Sequence, residues 1–204
     1  MNPLVSIWTQ PKETIRYVLE YKTWSYSFFI LFLSSIGVGM TSFAETDLFS
    51  SLPLIAIILL GILSTFIGSI ISLFIAAGLY TWVGKWLRGN GNFNDMLQMV
   101  PIASIPLIWL MPINLIIVII FGKALFTDSY AMLSGTSAIL LLVNLLTLGV
   151  SIYSTVILSK GIGIVHHFSS WRGFGVIMII VGMFLVLLTP FIVILMFILF
   201  ASIV

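Results

Sequence analysis

The fold of this chain is decided by residues 52–83, which read LPLIAIILLGILSTFIGSIISLFIAAGLYTWV. The stretch contains no Asp, Glu, Lys, Arg or His. A helix advances about 1.5 Å per residue, so about 20 apolar residues cross the hydrocarbon core of a bilayer. Residues 52–83 exceed that length, and they predict a transmembrane helix that tilts or projects beyond the membrane.

Further apolar runs lie on either side of this stretch, and each reaches the length of a membrane span. Backbone groups cannot remain unpaired in lipid, and unbroken apolar runs are typical of helices rather than of β-barrel strands. We therefore predict an all-α fold over residues 24–204, a polytopic membrane helix bundle of about five transmembrane helices. The other predicted spans are residues 24–43, 96–121, 135–159 and 174–204.

The composition supports a membrane protein and excludes several other classes. Of the 204 residues, 61% are hydrophobic and 7% are charged, and the mean hydropathy is +1.27. Soluble domains carry about 25% charged residues. The net charge is +2, without the dense basic run that would predict a nucleic-acid partner. The chain has no cysteine, which excludes disulfides and thiolate metal sites.

The basic residues are distributed unequally between the two sides of the predicted bundle. The N-terminal segment and the second and fourth connections lie on one side and carry seven of the eight Lys and Arg residues. The other side has Lys123, together with Glu45, Asp47 and Asp128. Because cytoplasmic loops carry the excess of Lys and Arg, we predict a cytoplasmic N-terminus and, after five spans, a C-terminus outside.

Residues 1–23 have the pattern of a short amphipathic helix. Thr9 is the predicted N-cap, Pro11 fits the first turn, and Glu13 is favoured near the positive start of the helix. The pattern predicts an N-terminal segment that lies in the cytoplasmic interface. Two interpretations stay open, an anchor for the first span and a docking surface for a partner. The predicted apolar face consists of Ile15, Val18 and Leu19.

The third predicted span contains three prolines, Pro101, Pro106 and Pro112. Each proline removes a backbone donor, so the helix should kink or break. Broken helices often line transporter binding sites, and a substrate path competes here with a bent helix that only packs. Asn114 and Asn144 could form hydrogen bonds across helices, with each other or with hydroxyl groups.

The second predicted span contains a row of small residues at intervals of four. Such rows let two helices approach closely. We predict that this row packs within the bundle, and contact between protomers of a homo-oligomer stays open. The row consists of Ser64, Gly68, Ser72 and Ala76.

The connection after the second span predicts a tight turn at residues 85–95. Gly89 and Gly91 suit such a turn, and Asn94 is the predicted cap of the third helix, with Asp95 in its first turn. The glycine spacing does not match a P-loop or a dinucleotide-binding fingerprint.

The five predicted spans contain no Asp, Glu, Lys, Arg or His. Ionisable side chains in a membrane mark proton relays and ion paths, and they are the usual catalytic acids and bases. We therefore predict that the protein is not an enzyme and has no catalytic residue, cofactor or metal site.

Two adjacent histidines, His166 and His167, lie in the fourth connection. A metal-binding pair prefers the i, i+4 spacing with further ligands nearby, which this pair lacks. We expect a hydrated pair at the membrane interface, able to bind anionic headgroups together with neighbouring basic residues. The predicted contacts for headgroups or for a partner are Lys85, Arg88, Lys160, His166, His167 and Arg172.

Three motifs follow one another along the chain. They are Asn2-Pro3 with Ile7-Trp8-Thr9-Gln10-Pro11 and Thr14-Ile15, then Gly89-Asn90-Gly91-Asn92-Phe93 ahead of Pro101 and Pro106, then Val165-His166-His167-Phe168-Ser169-Ser170-Trp171. In this order they resemble bacterial Yip1-domain proteins over nearly the whole chain. The resemblance implies a five-span protein of the bacterial cytoplasmic membrane without catalytic residues. Eukaryotic members engage Rab GTPases partly through a long soluble N-terminal region, whereas about 23 residues precede the first span here.

Two functions remain in competition. The first is a non-catalytic adaptor or accessory subunit for another membrane complex in export, trafficking or envelope stress, with an unidentified membrane protein as its partner. The alternative is a carrier or scramblase for a lipid or another amphipathic small molecule. Both functions imply contact with membrane lipids, and neither implies nucleic acid.

Overall fold

The computed structural model describes residues 1–127 and 134–201, and within these ranges the chain is helical and has no strand. The predicted all-α fold is therefore confirmed. Short 3-10 helices cover Asp47–Phe49, Val100–Ser104 and Gly122–Phe126. The α-helices are α1 (Pro3–Ser6), α2 (Pro11–Tyr21), α3 (Trp24–Gly39), α4 (Leu54–Trp86), α5 (Phe93–Met99), α6 (Ile105–Ile108), α7 (Met111–Phe121), α8 (Ser134–Val165) and α9 (Ser170–Ala201).

Among the described residues, three helices are long and apolar enough to cross a membrane, namely Leu54–Trp86, Leu141–Val165 within α8 and Ser170–Pro190 within α9. A bent pair, Phe93–Ile108 with Met111–Phe126, makes a fourth if it forms one span. Helix α3 has 16 residues and is about 24 Å long, short of the hydrocarbon thickness of about 30 Å. The predicted count of about five is therefore not confirmed.

The third predicted span is broken, and each break coincides with a proline. The chain bends by 47° between Phe93–Ile108 and Met111–Phe126. Pro101, Pro106 and Pro112 each occupy the first turn of a new helical segment. A proline is tolerated there because its missing N–H would have no intrahelical partner. The predicted break is confirmed.

A buried amide bridges the broken region to α3. Asn114 is 6% exposed, and its side-chain Nδ2 donates a hydrogen bond of 2.7 Å to the carbonyl oxygen of Gly37. Gly37 lies in the last turn of α3, where carbonyls lack intrahelical donors. A Cβ atom at Gly37 would lie 3.0 Å from the carbonyl oxygen of Leu107, so glycine permits the close approach. Asn144 is exposed on α8 instead.

Helix α2 packs its apolar face against protein rather than leaving it free for lipid. Ile15 and Val18 are fully buried, and α2 contacts α5 and α8. The predicted N-cap Thr9 is wrong, because Gln10 precedes Pro11 at the start of the helix. The polar residues Lys12, Glu13, Arg16 and Glu20 are exposed.

The buried side chain of Gln98 caps the end of α2. Its Nε2 donates hydrogen bonds to the carbonyl oxygens of Val18, at 3.1 Å, and Lys22, at 2.6 Å. Carbonyls at the end of a helix lack intrahelical donors, and a side chain can supply them. The carbonyl of Val18 also accepts the backbone N–H of Lys22 at 3.0 Å. Ser27 of α3 in turn donates its hydroxyl to the carbonyl oxygen of Gln98 at 2.8 Å. One residue of α5 thus joins α2 and α3.

The segment before α2 is held along the bundle by two aromatic side chains. The hydroxyl of Tyr153 lies 3.0 Å from the carbonyl oxygen of Ile7 and 2.8 Å from that of Trp8. The Trp8 and Tyr153 rings stack with centroids 5.2 Å apart. Trp109 donates its Nε1–H to the carbonyl oxygen of Leu4 at 3.3 Å. Helix α1 is therefore fixed against α8 and the broken third span.

The opposite end of the bundle has a small core of its own. Glu45 donates its backbone N–H to the carbonyl oxygen of Leu125 at 2.9 Å, which joins the loop after α3 to the chain after α7. Lys123 and Asp47 are exposed there, and Asp128 lies outside the described residues. The buried side chains of this core are Ile57, Ile117, Val118, Leu125 and Phe126.

Replacing Asn114 tests whether the broken span is held by its amide. We expect Asn114→Leu to lower the free energy of unfolding by about 1–3 kcal/mol, because the carbonyl of Gly37 loses its donor in a buried place. The exposed Asn144→Leu is the matched control and should change little. Unfolding in mild detergent measures both. Lost function at unchanged stability in Asn114→Leu would contradict a packing role and favour a substrate path.

Candidate functional site

Two turns interlock at one end of the bundle. The turn at residues 87–92 joins α4 to α5, and the turn at residues 166–169 joins α8 to α9. Asn90 donates its backbone N–H to the carbonyl oxygen of His166 at 3.3 Å. Gly91 donates its N–H to Nδ1 of His166 at 3.1 Å, across 75 positions of sequence. These bonds connect the two halves of the chain at this end.

The His166 ring has a defined tautomer. Its Nδ1 accepts the N–H of Gly91, and its Nε2 lies 3.2 Å from the carbonyl oxygen of Tyr80. Since a carbonyl oxygen only accepts, Nε2 carries the proton and donates it. A doubly protonated ring would place an N–H against the N–H of Gly91, so the arrangement requires neutral imidazole. We call this ring, with Tyr80, Gly84, Gly89 and Gly91 around it, the histidine clasp.

Three glycines form the slot that holds the ring. A Cβ atom at Gly89 would lie 2.5 Å from Nδ1 of His166, one at Gly91 would lie 2.8 Å from it, and one at Gly84 would overlap the ring. Gly89 and Gly91 were predicted as turn formers, but their close approach to the ring also excludes any side chain. The cap prediction at Asn94 is wrong, because Asn92 accepts the N–H of Asp95 at 2.8 Å.

The prediction of a hydrated histidine pair is wrong for His166. Its side chain is 1% exposed, whereas His167 is exposed. Helix α8 continues to Val165 instead of ending near residue 159, and His167 then adopts a left-handed backbone with φ of 55°. The chain reverses at that point, with one ring pointing inward and the next outward. Phe168 stacks on the His166 ring, with centroids 5.3 Å apart.

The electrostatic surroundings also favour the neutral ring. His166 lies just beyond the apolar part of α8, and burial lowers its pKa from the usual 6.5. The hydrogen bond to the Tyr80 carbonyl raises the pKa, while the charges of Lys85 and His167 lower it. The lowered pKa agrees with the acceptor role of Nδ1.

A cavity of about 480 Å³ lies beside the clasp, between α2, α8 and the turn into α9. Three basic side chains line it, those of Lys12 and Arg16 from α2 and of Lys160 from α8. None of the described residues that line it is acidic. We call it the basic cavity. Its other lining residues are Gly163, Ile164, His167, Phe168 and Ser170.

The predicted contact residues are divided between this cavity and its surroundings. Lys160 and His167 line the basic cavity, and His166 lies in the clasp. Lys12 and Arg16 are not among the predicted site residues, although their i, i+4 spacing places them on one face of a helix. The predicted contacts that do not line the cavity, all exposed, are Lys85, Arg88 and Arg172.

An apolar groove of about 520 Å³ runs between α8 and α9 next to the basic cavity. Lys160 and Ser170 line both spaces. Ser159 holds the two helices together here, since its hydroxyl donates a hydrogen bond of 2.6 Å to the carbonyl oxygen of Ser170. The two spaces together form one amphipathic surface. The other residues that line the apolar groove are Ile152, Thr155, Val156, Trp171 and Phe174.

The proline-broken span contributes to a different groove of about 370 Å³, lined by Pro101 and by small polar residues of α4. The hydroxyl of Ser69 donates to the carbonyl oxygen of Thr65 at 2.7 Å, and that of Ser104 to Pro101 at 2.6 Å. Both hydroxyls donate within their own helical segments, and the hydroxyl of Ser69 also accepts a hydrogen bond of 3.4 Å from Ser35 of α3. The groove has no charged lining residue among those described, so it lacks the charges that the basic cavity offers to a ligand.

The sequence pattern of the Yip1 domain matches residues 5–192, a range that includes both interlocked turns. The chain belongs to the Yip1 family. Comparison with curated proteins and with solved structures finds no match. The Yip1 family is a membrane-trafficking family whose members are generally not enzymes. In the part of this Yip1 domain that the structure describes, no three His, Cys, Asp or Glu residues group to hold a metal ion.

The glycine slot of this Yip1 domain can be tested with two alanine substitutions in one helix. We expect Gly84→Ala to destabilise the protein by about 1–3 kcal/mol. The new methyl group overlaps the His166 ring, which cannot move away because it also lies against Gly89 and Gly91. Gly68→Ala is the control, since a Cβ atom there meets nothing within 4 Å, and alanine favours a helix by up to about 1 kcal/mol. Equal unfolding free energies in detergent would contradict the slot.

The clasp also predicts how the stability of the Yip1 domain depends on pH. The folded-state pKa of His166 lies below 6.5, so the unfolded chain binds more protons in that interval. The contribution of the clasp is complete above pH 6.5 and is lost as pH falls through the folded pKa. Thermal unfolding between about pH 8 and pH 5 measures this loss. His166→Gln should remove the dependence and His167→Gln should keep it; the opposite pattern would refute the assignment.

Proposed function

We propose that this Yip1-family protein is a non-catalytic membrane protein that binds anionic lipid at the end of the bundle where the basic cavity lies. The observation that carries the proposal is the sharing of Lys160 and Ser170 between that cavity and the apolar groove. A lipid has the same division, a charged headgroup joined to an apolar chain. This function corresponds to the predicted carrier of a lipid or amphipathic molecule.

The charges of the cavity select the sign of the headgroup. Lys12, Arg16 and Lys160 converge without a lining carboxylate, so an anion gains attraction there that a zwitterion does not. Lys160 lies within α8, five residues before its end at Val165, where a long side chain extends its charge toward the headgroup region. Trp171 is 82% exposed at the mouth of the groove, a position typical of interfacial tryptophan.

The proposed orientation places this end in the cytoplasm. This end of the bundle contains the basic N-terminal segment and the turns that follow α4 and α8. Cytoplasmic segments carry the excess of Lys and Arg. The inner leaflet supplies anionic lipids, whose surface potential attracts such a site. We propose the bacterial cytoplasmic membrane as the location. Helix α3 serves as the fifth span, with local thinning of the bilayer over its short length.

Reconstitution into bilayer discs tests the proposal directly. Discs of phosphatidylcholine with a minor share of phosphatidylglycerol should retain the anionic lipid on the protein, measured by native mass spectrometry. A Lys near anionic lipid contributes about 1 kcal/mol, so Lys160→Gln should lower retention about five-fold. Lys123→Gln, at the opposite end, is the matched control. Retention that is equal in both variants would refute lipid binding at this cavity.

A second candidate function, the adaptor, is favoured by the small-residue row of α4. The prediction that this row packs within the bundle is wrong, since Ser64, Gly68 and Ser72 are exposed and Ala76 is half-buried. A Cβ atom at Gly68 meets nothing within 4 Å, so another helix could approach closely. Cross-linking from this row in native membranes separates the candidates. A stoichiometric protein partner would support the adaptor, and lipid alone would support the carrier.

A further inference from the structure

We propose that the basic cavity selects a phosphomonoester headgroup, which carries up to two negative charges, over the single charge of a phosphodiester. The inference rests on the proposed function and adds the chemical class of the ligand. It follows from the number of cations, the direction from which each arrives and the capping of the nearby helix ends.

The number of cations exceeds what a phosphodiester neutralises. The cavity of about 480 Å³ is lined by the basic side chains of Lys12, Arg16 and Lys160, and by His167. A phosphodiester carries one negative charge and leaves two of these cations uncompensated. A phosphomonoester carries about −1.5 to −2 at pH 7 and offers three acceptor oxygens. Its charge and its acceptors match the three cations more closely.

The donors also surround the cavity from different elements. Lys12 and Arg16 arrive from α2, Lys160 from α8, and His167 from the turn that follows it. The guanidinium of Arg16 is a planar fork suited to two phosphate oxygens, whereas each lysine acts as a compact point charge. A tetrahedral group with three free oxygens can meet all of these donors together. A diester has two free oxygens and meets fewer.

The two helix ends at the cavity favour an anion on balance. Ser170 is the first residue of α9 and lines the cavity, and the start of a helix carries partial positive charge. The end of α8 would oppose an anion, but its carbonyls are capped by the turn. The backbone N–H of His166 donates a hydrogen bond of 3.0 Å to the carbonyl oxygen of Ile162. The backbone N–H of Phe168 donates one of 2.9 Å to the carbonyl oxygen of Gly163. The negative end is thereby partly neutralised.

The apolar groove distinguishes a lipid from a soluble phosphate. It adjoins the cavity at Lys160 and Ser170, so a phosphomonoester with an acyl chain gains apolar burial that a free phosphate lacks. The proposed ligand is therefore a phosphatidic-acid-type lipid, and glycerol 3-phosphate is the soluble probe that has its headgroup alone.

The test compares discs of phosphatidylcholine that contain equal shares of phosphatidic acid or of phosphatidylglycerol. We expect about five-fold higher retention of phosphatidic acid at neutral pH, which corresponds to about 1 kcal/mol for the added charge. Lys12→Gln should reduce the preference, and Lys123→Gln should leave it intact, with melting temperatures confirming that both variants are folded.

The outcomes separate the inference from the proposed function. Equal retention of the two anionic lipids, both above phosphatidylcholine, would overturn the phosphomonoester inference and leave anionic-lipid binding standing. Retention of neither above phosphatidylcholine would overturn both. Displacement of phosphatidic acid by millimolar glycerol 3-phosphate would overturn the lipid as the source of the headgroup, because the groove would then contribute nothing.

Discussion

The neutral ring of His166 is the contact on which the candidate site depends. Its two nitrogens join backbone of α4 and of the following turn to the turn between α8 and α9. That second turn supplies His167 and Phe168 to the wall of the basic cavity, next to Ser170 at the start of α9. The ring fits only between glycines and only in one protonation state. A buried polar contact therefore sets the position of this wall. Apolar packing is less directional and would set it less exactly.

The N-terminal segment forms the other wall of the basic cavity. Because this segment is attached to the bundle, the cavity has basic residues from α2 as well as from α8. Gln98 caps α2 from α5, while Ile15 and Val18 bury the apolar face of α2 against the bundle. Lys12 and Arg16 consequently face the cavity from a helix that is fixed at its end and along its side. The proposed lipid binding therefore depends on the docking of this segment.

The sequence predicts the features of this protein that depend on local chemistry. Unbroken apolar runs give the helical class, the prolines give the broken third span, and the spacing of Ile15 and Val18 gives the buried face of α2. The burial of His166 was missed because its partners lie 75 and 86 positions away, and no local pattern records such a pairing. The predicted count of about five spans is not confirmed at α3, because the apolar run continues to residue 43 whereas the helix ends at Gly39. The N-cap predictions at Thr9 and Asn94 are wrong because they were made from residue type. The N-cap is instead the residue at which the backbone leaves the helical conformation, here Gln10 and Asn92.

The contacts of Tyr153 and Trp109 with the first residues impose an order on biosynthesis. Trp8 leaves the ribosome first, yet its partner Tyr153 follows 145 positions later. At about 5–20 residues per second, the N-terminal segment waits about 7–30 s before its docking surface has been synthesised. During that interval the part of the segment that packs against α8 is uncovered. The docking of this segment is therefore completed only after most of α4 to α8 has been synthesised.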